Sequence, residues 1–374
     1  MRIAQVAPRG EQPWSGVLTV IVHLSAALAR RGHEVELWRS SDWPADRYAD
    51  PRRVLEQAGV VDVHAPRSPI PGRAAPALAE ARAIEIVHLH GAFNPSNTAI
   101  ARSLRRPYVF SPHSGYNPVS LGRSRWRKLA YRILFERGML ERAALVVALT
   151  DEELHDLRRF GATAPAEVIP NGVEPPAAHA LDADAFRREL SLPRRALLAV
   201  FVGRLDVHRK GLDVLVRGIA DAPNWHLALV GPRFRDVEHL ERLITQRGAG
   251  DRVHFVGERH GRHRQESVYG ADVFALTSRW EGMPMALLEA LALARPAVVS
   301  PAVERTIGVA AAGAGWIASD GDVGRVLRDI DKDGVSQHGR AALQLSKRYD
   351  WDTVAQRYET AYERARGSRQ RVSP

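Results

Sequence analysis

Two carboxylates, Glu281 and Glu289, are separated by seven residues in the stretch RWEGMPMALLEALALARPAVV, residues 279–299. Glu281 precedes a Gly-Met-Pro turn, and Glu289 lies in the apolar run that follows. A proline fits the first turn of a helix, where no backbone N–H is missed, so Pro284 predicts a helix start with Glu281 on the loop before it. At 1.5 Å rise per residue the carboxylates would stand roughly 10 Å apart along one helix. That is too far to share a proton and suits the two ends of one extended ligand. Ionised carboxylates only accept hydrogen bonds, so such a ligand would be rich in hydroxyls. A glutamate beside a helix start can also merely cap it, and one in mid-helix can merely face water.

A second cluster is cationic. LLAVFVGRLDVHRKGLDVLVRGIA, residues 197–220, reads as strand, loop and helix. Arg204 leaves the strand and Lys210 immediately precedes the glycine that opens the helix, so two cations and free backbone N–H groups converge on one place. This is an anion site, and a diphosphate is its natural occupant. Two solvated cations on a loop are the plain alternative. His88, His90 and His113 are expected at strand ends. Without a carboxylate or Cys at ligand spacing, metal ligation by His88 and His90 is not expected.

The elements that must position these groups alternate in type. ADVFALTS, 271–278, reads as a buried parallel strand feeding the Glu281 loop, which places the pair at the carboxyl end of a strand, where open α/β sheets bind ligands. RIAQVA and HEVELW flank a helix in which Val17, Val20, Leu24 and Leu28 recur at helical spacing and Gly32 closes the run. Gly16 opens that helix after a strand, a place suited to a phosphate or a hydroxylated ligand. No G-x-G-x-x-G occurs there, so a dinucleotide site is not expected. IEIVHLHG, PYVFSPHSG and LVVALT continue a parallel sheet. Residues 40–83 are polar and read as peripheral, with one strand at VVDVH. EVIPNGVEPP, 167–176, has the turn and prolines of an inter-domain connection. HLALVGP and RVHFVGE are two further strands, ending in loops that carry Gly231 and, after the second, Gly257 and Arg259.

Composition sets outer bounds. At 374 residues, two domains of ordinary size are expected, and 45% hydrophobic with 26% charged residues is the balance of a globular chain. The chain has no Cys, which fits a reducing compartment. MRIAQVAPRG does not read as a signal peptide, and no apolar run reaches the roughly 18–20 residues of a membrane span. A cytoplasmic protein is expected. The net charge of +10 with pI near 10.3 admits nucleic acid, an anionic membrane or a phosphorylated ligand as partner. The arginines are nevertheless spread along the chain, as a high-GC genome also produces, and RNA-type motifs are absent, so nucleic acid is not expected. RSRWRKLAYRILFERGMLERAA, 123–144, carries an apolar stripe of Trp126, Leu129, Ile133 and Leu134 beside Arg123, Arg125, Arg127, Lys128 and Arg132. It either packs on its own sheet or lies on an anionic membrane, giving peripheral contact at the inner face.

Taken together these motifs resemble the retaining, nucleotide-sugar-dependent glycosyltransferases of the group 1 family that includes glycogen synthase, sucrose-phosphate synthase and bacterial mannosyltransferases. The matches run from residue 2 to about 362 and keep their order: glycine loop, His, P-N-G, Arg/Lys, Glu pair. The resemblance implies the GT-B arrangement, two facing Rossmann-like α/β domains with a deep inter-domain cleft. Residues 1–170, completed by a C-terminal helix of about 355–374, would bind the acceptor, and residues 171–354 the donor. It implies that His113 approaches the sugar, that Arg204 and Lys210 neutralise the departing diphosphate, that Glu281 lies by the transferred sugar and that Glu289 holds the ribose. Gly16, Gly203, Gly231, Gly257, Arg259, Gly282, Met283, Pro284 and Met285 would line the donor site. The single Gly16 stands where the family commonly has a glycine pair, and VVSPAVERTIGVAAAGAGWIA replaces its frequent Gly-Gly-x-x-Glu loop.

The implied reaction moves a sugar, of hexosyl type, from a nucleoside diphosphate sugar to an acceptor hydroxyl on a glycan, a lipid-linked saccharide or a small metabolite. No metal or other cofactor is expected, because cationic side chains stand at the leaving group. A sugar-nucleotide epimerase or hydrolase of the same fold is the nearest alternative, and a basic membrane-surface or nucleic-acid-binding protein a more distant one. The donor base, the sugar and the acceptor are left open.

Overall fold

The computed structural model describes residues 1–8, 16–40, 49–64, 74–117, 131, 135–174 and 178–367. The chain divides into two compact units: Met1–Gly172 together with the segment from Trp351 onward, and Val173–Asp350. Each is built on one all-parallel sheet.

The first sheet holds β1 (Arg2–Val6), β2 (Glu34–Arg39), β3 (Val61–His64), β4 (Ile86–His90), β5 (Tyr108–Ser111), β6 (Leu145–Ala148) and β7 (Ala166–Val168), in the order β3-β2-β1-β4-β5-β6-β7. Its central strands β4, β5 and β6 are buried along their whole length, which is why they read as short, nearly continuous apolar runs. Helix Gly16–Arg30 buries Leu18, Ile21, Leu24 and Leu28. Gly32, with φ +89°, then turns the chain into β2. The polar region 40–83 holds more structure than its composition suggests: β3 forms the sheet edge, and helices Ala49–Ala58 and Ala74–Ala81 lie on either side of it in sequence.

The second sheet holds β8 (Leu197–Val202), β9 (Trp225–Val230), β10 (Val253–Gly257), β11 (Val273–Leu276), β12 (Ala297–Val299) and β13 (Gly315–Ile317), in the order β10-β9-β8-β11-β12-β13. The two orders repeat one pattern. Strand order reverses between β1 and β4 in the first sheet and between β8 and β11 in the second. In a doubly wound sheet that reversal opens a crevice at the carboxyl ends of the two strands, because the helices that follow them pack on opposite faces.

The C-terminal helix Trp351–Gly367 buries Trp351, Val354, Ala355, Tyr358, Ala361, Tyr362 and Ala365, an apolar stripe at helical spacing. It packs on helix Gly16–Arg30 and on β4 and β5. Trp351 sits so tightly on Gly172 that a Cβ there would come within 2.3 Å of the indole. Among the described residues no helix is long and apolar enough to cross a membrane. Half of the basic stretch 123–144 lies outside the described residues, including Trp126, Leu129, Ile133 and Leu134 and all five cations beside them. Trp14, Ser15, Pro175 and Pro176 also lie outside them.

Candidate active site

In the second unit the loops after β8 and β11 meet at the strand-order reversal. Asp206 accepts a hydrogen bond from the Arg209 N–H and starts the short helix Val207–Lys210, which ends at Gly211. Gly211 has φ +63°, and a Cβ there would lie 2.0 Å from the Thr277 carbonyl oxygen, so only glycine fits without displacing backbone. The Thr277 hydroxyl donates to the Gly211 carbonyl at 2.8 Å, and the Arg279 N–H donates to the Arg209 carbonyl at 3.0 Å. Arg279 also grips Asp213 with both guanidinium nitrogens, each at 2.8 Å. These ties bring Lys210 against Glu281, and the two form an ion pair. The Ser278 hydroxyl donates to the same Glu281 oxygen at 2.7 Å. Burial alone would raise the Glu281 carboxyl, but Lys210 and Arg209 outweigh it and hold the group below its ordinary range. Glu281 is therefore a buried, ionised carboxylate whose partner is a partly exposed ammonium.

Arg204 is exposed on the β8 loop, its guanidinium 4.8 Å from the centre of the Phe234 ring. The loops after β8, β9 and β10 are laced together: the Gly203 N–H donates to Val230 O at 2.9 Å and the Gly231 N–H to Gly257 O at 2.7 Å. At Gly231, φ is +145° and a Cβ would stand 2.0 Å from the Gly203 carbonyl oxygen. Arg259 is turned to Glu189 and lies 4.9 Å over the Phe186 ring. Gly282, Met283 and Pro284 lead into helix Met285–Ala292, with Pro284 as N-cap rather than inside the first turn. No side chain caps this start. Glu289, five residues into the helix, pairs with Arg264 at 2.7 Å. The carboxyl edge thus gathers Gly203, Arg204, Lys210, Gly231, Gly257, Arg259, Glu281 and the Gly282–Met285 segment, with Glu289 one turn further in.

In the first unit Gly16 is the exposed first residue of its helix. His113 follows β5 in a left-handed turn, with φ +50° at His113 and +61° at Ser114. Residues with a Cβ adopt that conformation only when the surroundings hold it. Here the buried Glu153 does so: one carboxylate oxygen accepts from the Ser114 N–H and the other from the Leu149 N–H at 2.7 Å. Burial pushes the Glu153 carboxyl up to about 7 against the pull of those two donors. His113 Nε2 lies 2.9 Å from His90 Nδ1, and burial pushes His113 down to about 4. His88, expected at a strand end, is instead the third residue of β4 and fully buried. Its ring is held by Tyr362 and Ser111, each at 2.8 Å. Among the described residues no group of three or more His, Asp or Glu side chains could hold a metal ion.

Several positions that shape these sites escaped the sequence reading. Glu153 could have been found as the third residue after Thr150, the Ser/Thr-x-x-Glu pattern of a helix start, since the Thr150 hydroxyl accepts from the Glu153 N–H at 3.1 Å. Gln5 carries no local signal, because its partners Tyr362 and His90 lie on a distant helix and strand, whereas Ser278 stands three residues before Glu281 and Asp213 four before Arg217, spacings that could have been read.

Comparison with known proteins bears on this arrangement. Residues 14–175 match the family model Glycosyltransferase Family 4, and residues 182–332 match Glycosyl transferases group 1. The chain is 30% identical over 390 residues to the D-inositol 3-phosphate glycosyltransferase of Xylanimonas cellulosilytica, covering 94% of this chain and 92% of that one. It is 24% identical to a GDP-mannose:cellobiosyl-diphosphopolyprenol alpha-mannosyltransferase of Xanthomonas campestris, over 77% of this chain and 76% of that one. Sucrose-phosphate synthase of Thermosynechococcus elongatus superposes with a TM-score of 0.74 at 20% identity, covering 98% and 99% of the two chains. Anabaena HepE, in complex with UDP and glucose, superposes with a TM-score of 0.74 at 20% identity over 97% and 99%.

Proposed function

Because the chain belongs to the group 1 glycosyltransferases, with the two Rossmann-like domains of the GT-B fold, we propose that it transfers a hexosyl group from a nucleoside diphosphate sugar to an acceptor hydroxyl with retention of anomeric configuration. The observation that carries this reading is the Lys210–Glu281 pair at the strand-order reversal of the second sheet, with the exposed Arg204 on the neighbouring loop. Breaking the anomeric C–O bond passes through an oxocarbenium-like state and places negative charge on the departing diphosphate. Lys210 and Arg204 stand where that charge would develop, and a fixed cation needs no reorganisation as the charge appears. Glu281 orients the sugar. With its carboxylate tied to Lys210 and Ser278, it is better placed to accept a hydrogen bond than to attack carbon. Glu289 takes the ribose in exchange for Arg264, and the glycine loops at 203, 231 and 257 admit the phosphates and base.

In the first unit we assign Gly16 to donor binding and His113 to the transferred sugar. The donor class accords with HepE, solved with UDP and with UDP-glucose, and with the mannosyltransferase named for GDP-mannose. The Xylanimonas relative is named for an inositol phosphate, which makes phosphorylated polyols the first acceptors to test. A thermal-shift screen of UDP-, GDP-, ADP- and dTDP-sugars identifies the donor, because a ligand bound only by the folded state raises stability as RT ln(1 + [L]/Kd). Release of the nucleoside diphosphate with each acceptor, and the anomeric coupling constant of the product, then test transfer and retention. Full activity in both Arg204→Ala and Lys210→Ala would overturn the assignment.

A further inference from the structure

We propose that Gln5 and His90 are positioning residues for His113, holding its ring as the Nε2–H tautomer so that Nδ1 is left as a hydrogen-bond acceptor for a substrate hydroxyl. The inference starts from a line of side chains that spans β1, β4, β5 and the C-terminal helix. Gln5 Nε2 donates to the Tyr362 hydroxyl at 3.0 Å, which turns Gln5 Oε1 toward His90 Nε2 at 2.8 Å. An amide oxygen only accepts, so His90 Nε2 carries the ring proton. A neutral imidazole has one N–H, so His90 Nδ1 is a lone pair. It stands 2.9 Å from His113 Nε2, which must be the donor. That leaves Nδ1 of a neutral His113 without a proton, and no protein group among the described residues hydrogen-bonds it.

The other half of the line agrees. Having accepted from Gln5, the Tyr362 hydroxyl has its single proton for His88 Nδ1, 2.8 Å away. His88 Nε2–H then donates to Ser111 Oγ at 2.8 Å. Every donor meets one acceptor, and the line ends on a hydroxyl that can take either role. Neutrality of the rings is part of the argument. His88 and His90 are both fully buried, and burial together with the neighbouring imidazoles keeps both well below the ordinary histidine value. The titratable groups packed around the three rings are one another, Tyr358 and Tyr362 of the C-terminal helix against His88, and, behind the residue after His113, Glu153, whose carboxylate is committed to two backbone N–H groups. Among the described residues no carboxylate hydrogen-bonds His113 to draw a proton onto it. The left-handed backbone at residues 113 and 114 fixes where the ring can point. Turning the Gln5 amide over would reverse every bond in the line and make His113 present an Nδ1–H donor. The two arrangements therefore differ in one measurable proton.

The consequence for substrate binding rests on the proposed glycosyl transfer, whereas the tautomer does not, and the experiment separates them. In the full-length chain labelled with 15N-histidine, two-bond 1H–15N spectra at pH 7, with His113 assigned from His113→Gln, should show Nε2 protonated and Nδ1 bare. An Nδ1–H on His113 would overturn the proposal whatever the activity. Gln5→Leu removes the acceptor for His90. It should release His113 into both tautomers and lower kcat by at least about tenfold with little change in the donor KM. An unchanged His113 spectrum in Gln5→Leu would also overturn the proposal, and if that variant does not fold, the wild-type spectrum decides. The predicted tautomer in a protein that turns over no sugar donor would instead count against the functional reading.

Discussion

Lys210 is held before any ligand arrives, and its partner is what holds it. Glu281 is almost wholly shielded from solvent, and the Lys210 ammonium and the Ser278 hydroxyl satisfy its charge. Lys210→Ala should therefore have two separable effects. Turnover should fall about a hundredfold, the roughly 3 kcal/mol that a fixed charge stabiliser contributes in a shielded site. The Glu281 carboxyl should also rise, because the cation that now lowers it is gone, and a pH titration of stability would show this. If cationic side chains neutralise the leaving diphosphate, EDTA should leave the rate unchanged, and its restoration only by a divalent ion would refute that. Glu281 and Glu153 act in opposite senses on stability. Glu281 lies below its ordinary value, so its contribution is present above the unfolded carboxylate pKa and is lost as pH falls through the lowered one. Glu153 is raised from 4.5 to about 7, so its protonated form favours folding below about pH 4.5 and that contribution is lost as pH rises through 7. The difference amounts to at most about 3 kcal/mol. Urea midpoints between pH 5 and 8 should therefore fall less in Glu153→Gln than in wild type, and parallel curves would contradict the assignment.

At the scale of elements, the candidate site of the second unit is a pair of loops pinned at a strand-order reversal, and glycines set how closely the loops approach. Gly211→Ala pushes a methyl into the Thr277 carbonyl and forces a left-handed backbone on alanine, so it should cost more than about 1 kcal/mol and separate Lys210 from Glu281. Chemical denaturation and the rate of diphosphate release should both register it, whereas Gly248→Ala, with open space around it, should cost only the backbone strain. The strands were legible in the sequence because a parallel strand covered on both faces must be apolar throughout, as LLAVFV and VFAL are. The loop residues were legible where chemistry is concentrated at a strand end, as at Arg204, Lys210 and Glu281. Helices Ala49–Ala58 and Ala74–Ala81 were not, since their polar composition hides the faces they pack. His88 was read at a strand end because nothing near it in sequence announces the tyrosine that satisfies its ring 274 residues later. Gln5 is a polar residue inside a strand whose reason lies in the C-terminal helix, and local pattern cannot supply such a reason.

For the whole molecule, the C-terminal helix finishes the unit that the N-terminus begins. Removing residues from Trp351 onward would uncover the apolar surface under Val354, Tyr358 and Tyr362 and leave Gln5 and His88 without their buried partner. Amide hydrogen exchange on such a truncation should show protection lost across residues 1–172 and kept across 173–350, and uniform loss would mean the units do not fold independently. The second unit has a property of another kind. Its first and last residues are neighbours: the Val173 N–H donates to Tyr349 O at 2.6 Å, and Val173 is bridged to Asp350. Next to them, across the two covalent joints, Gly172 and Trp351 are in contact. Residues 173–350 are thus a portable cassette whose two ends could be cut or spliced at a single point, so the matching unit of a relative could be exchanged there without rethreading the host.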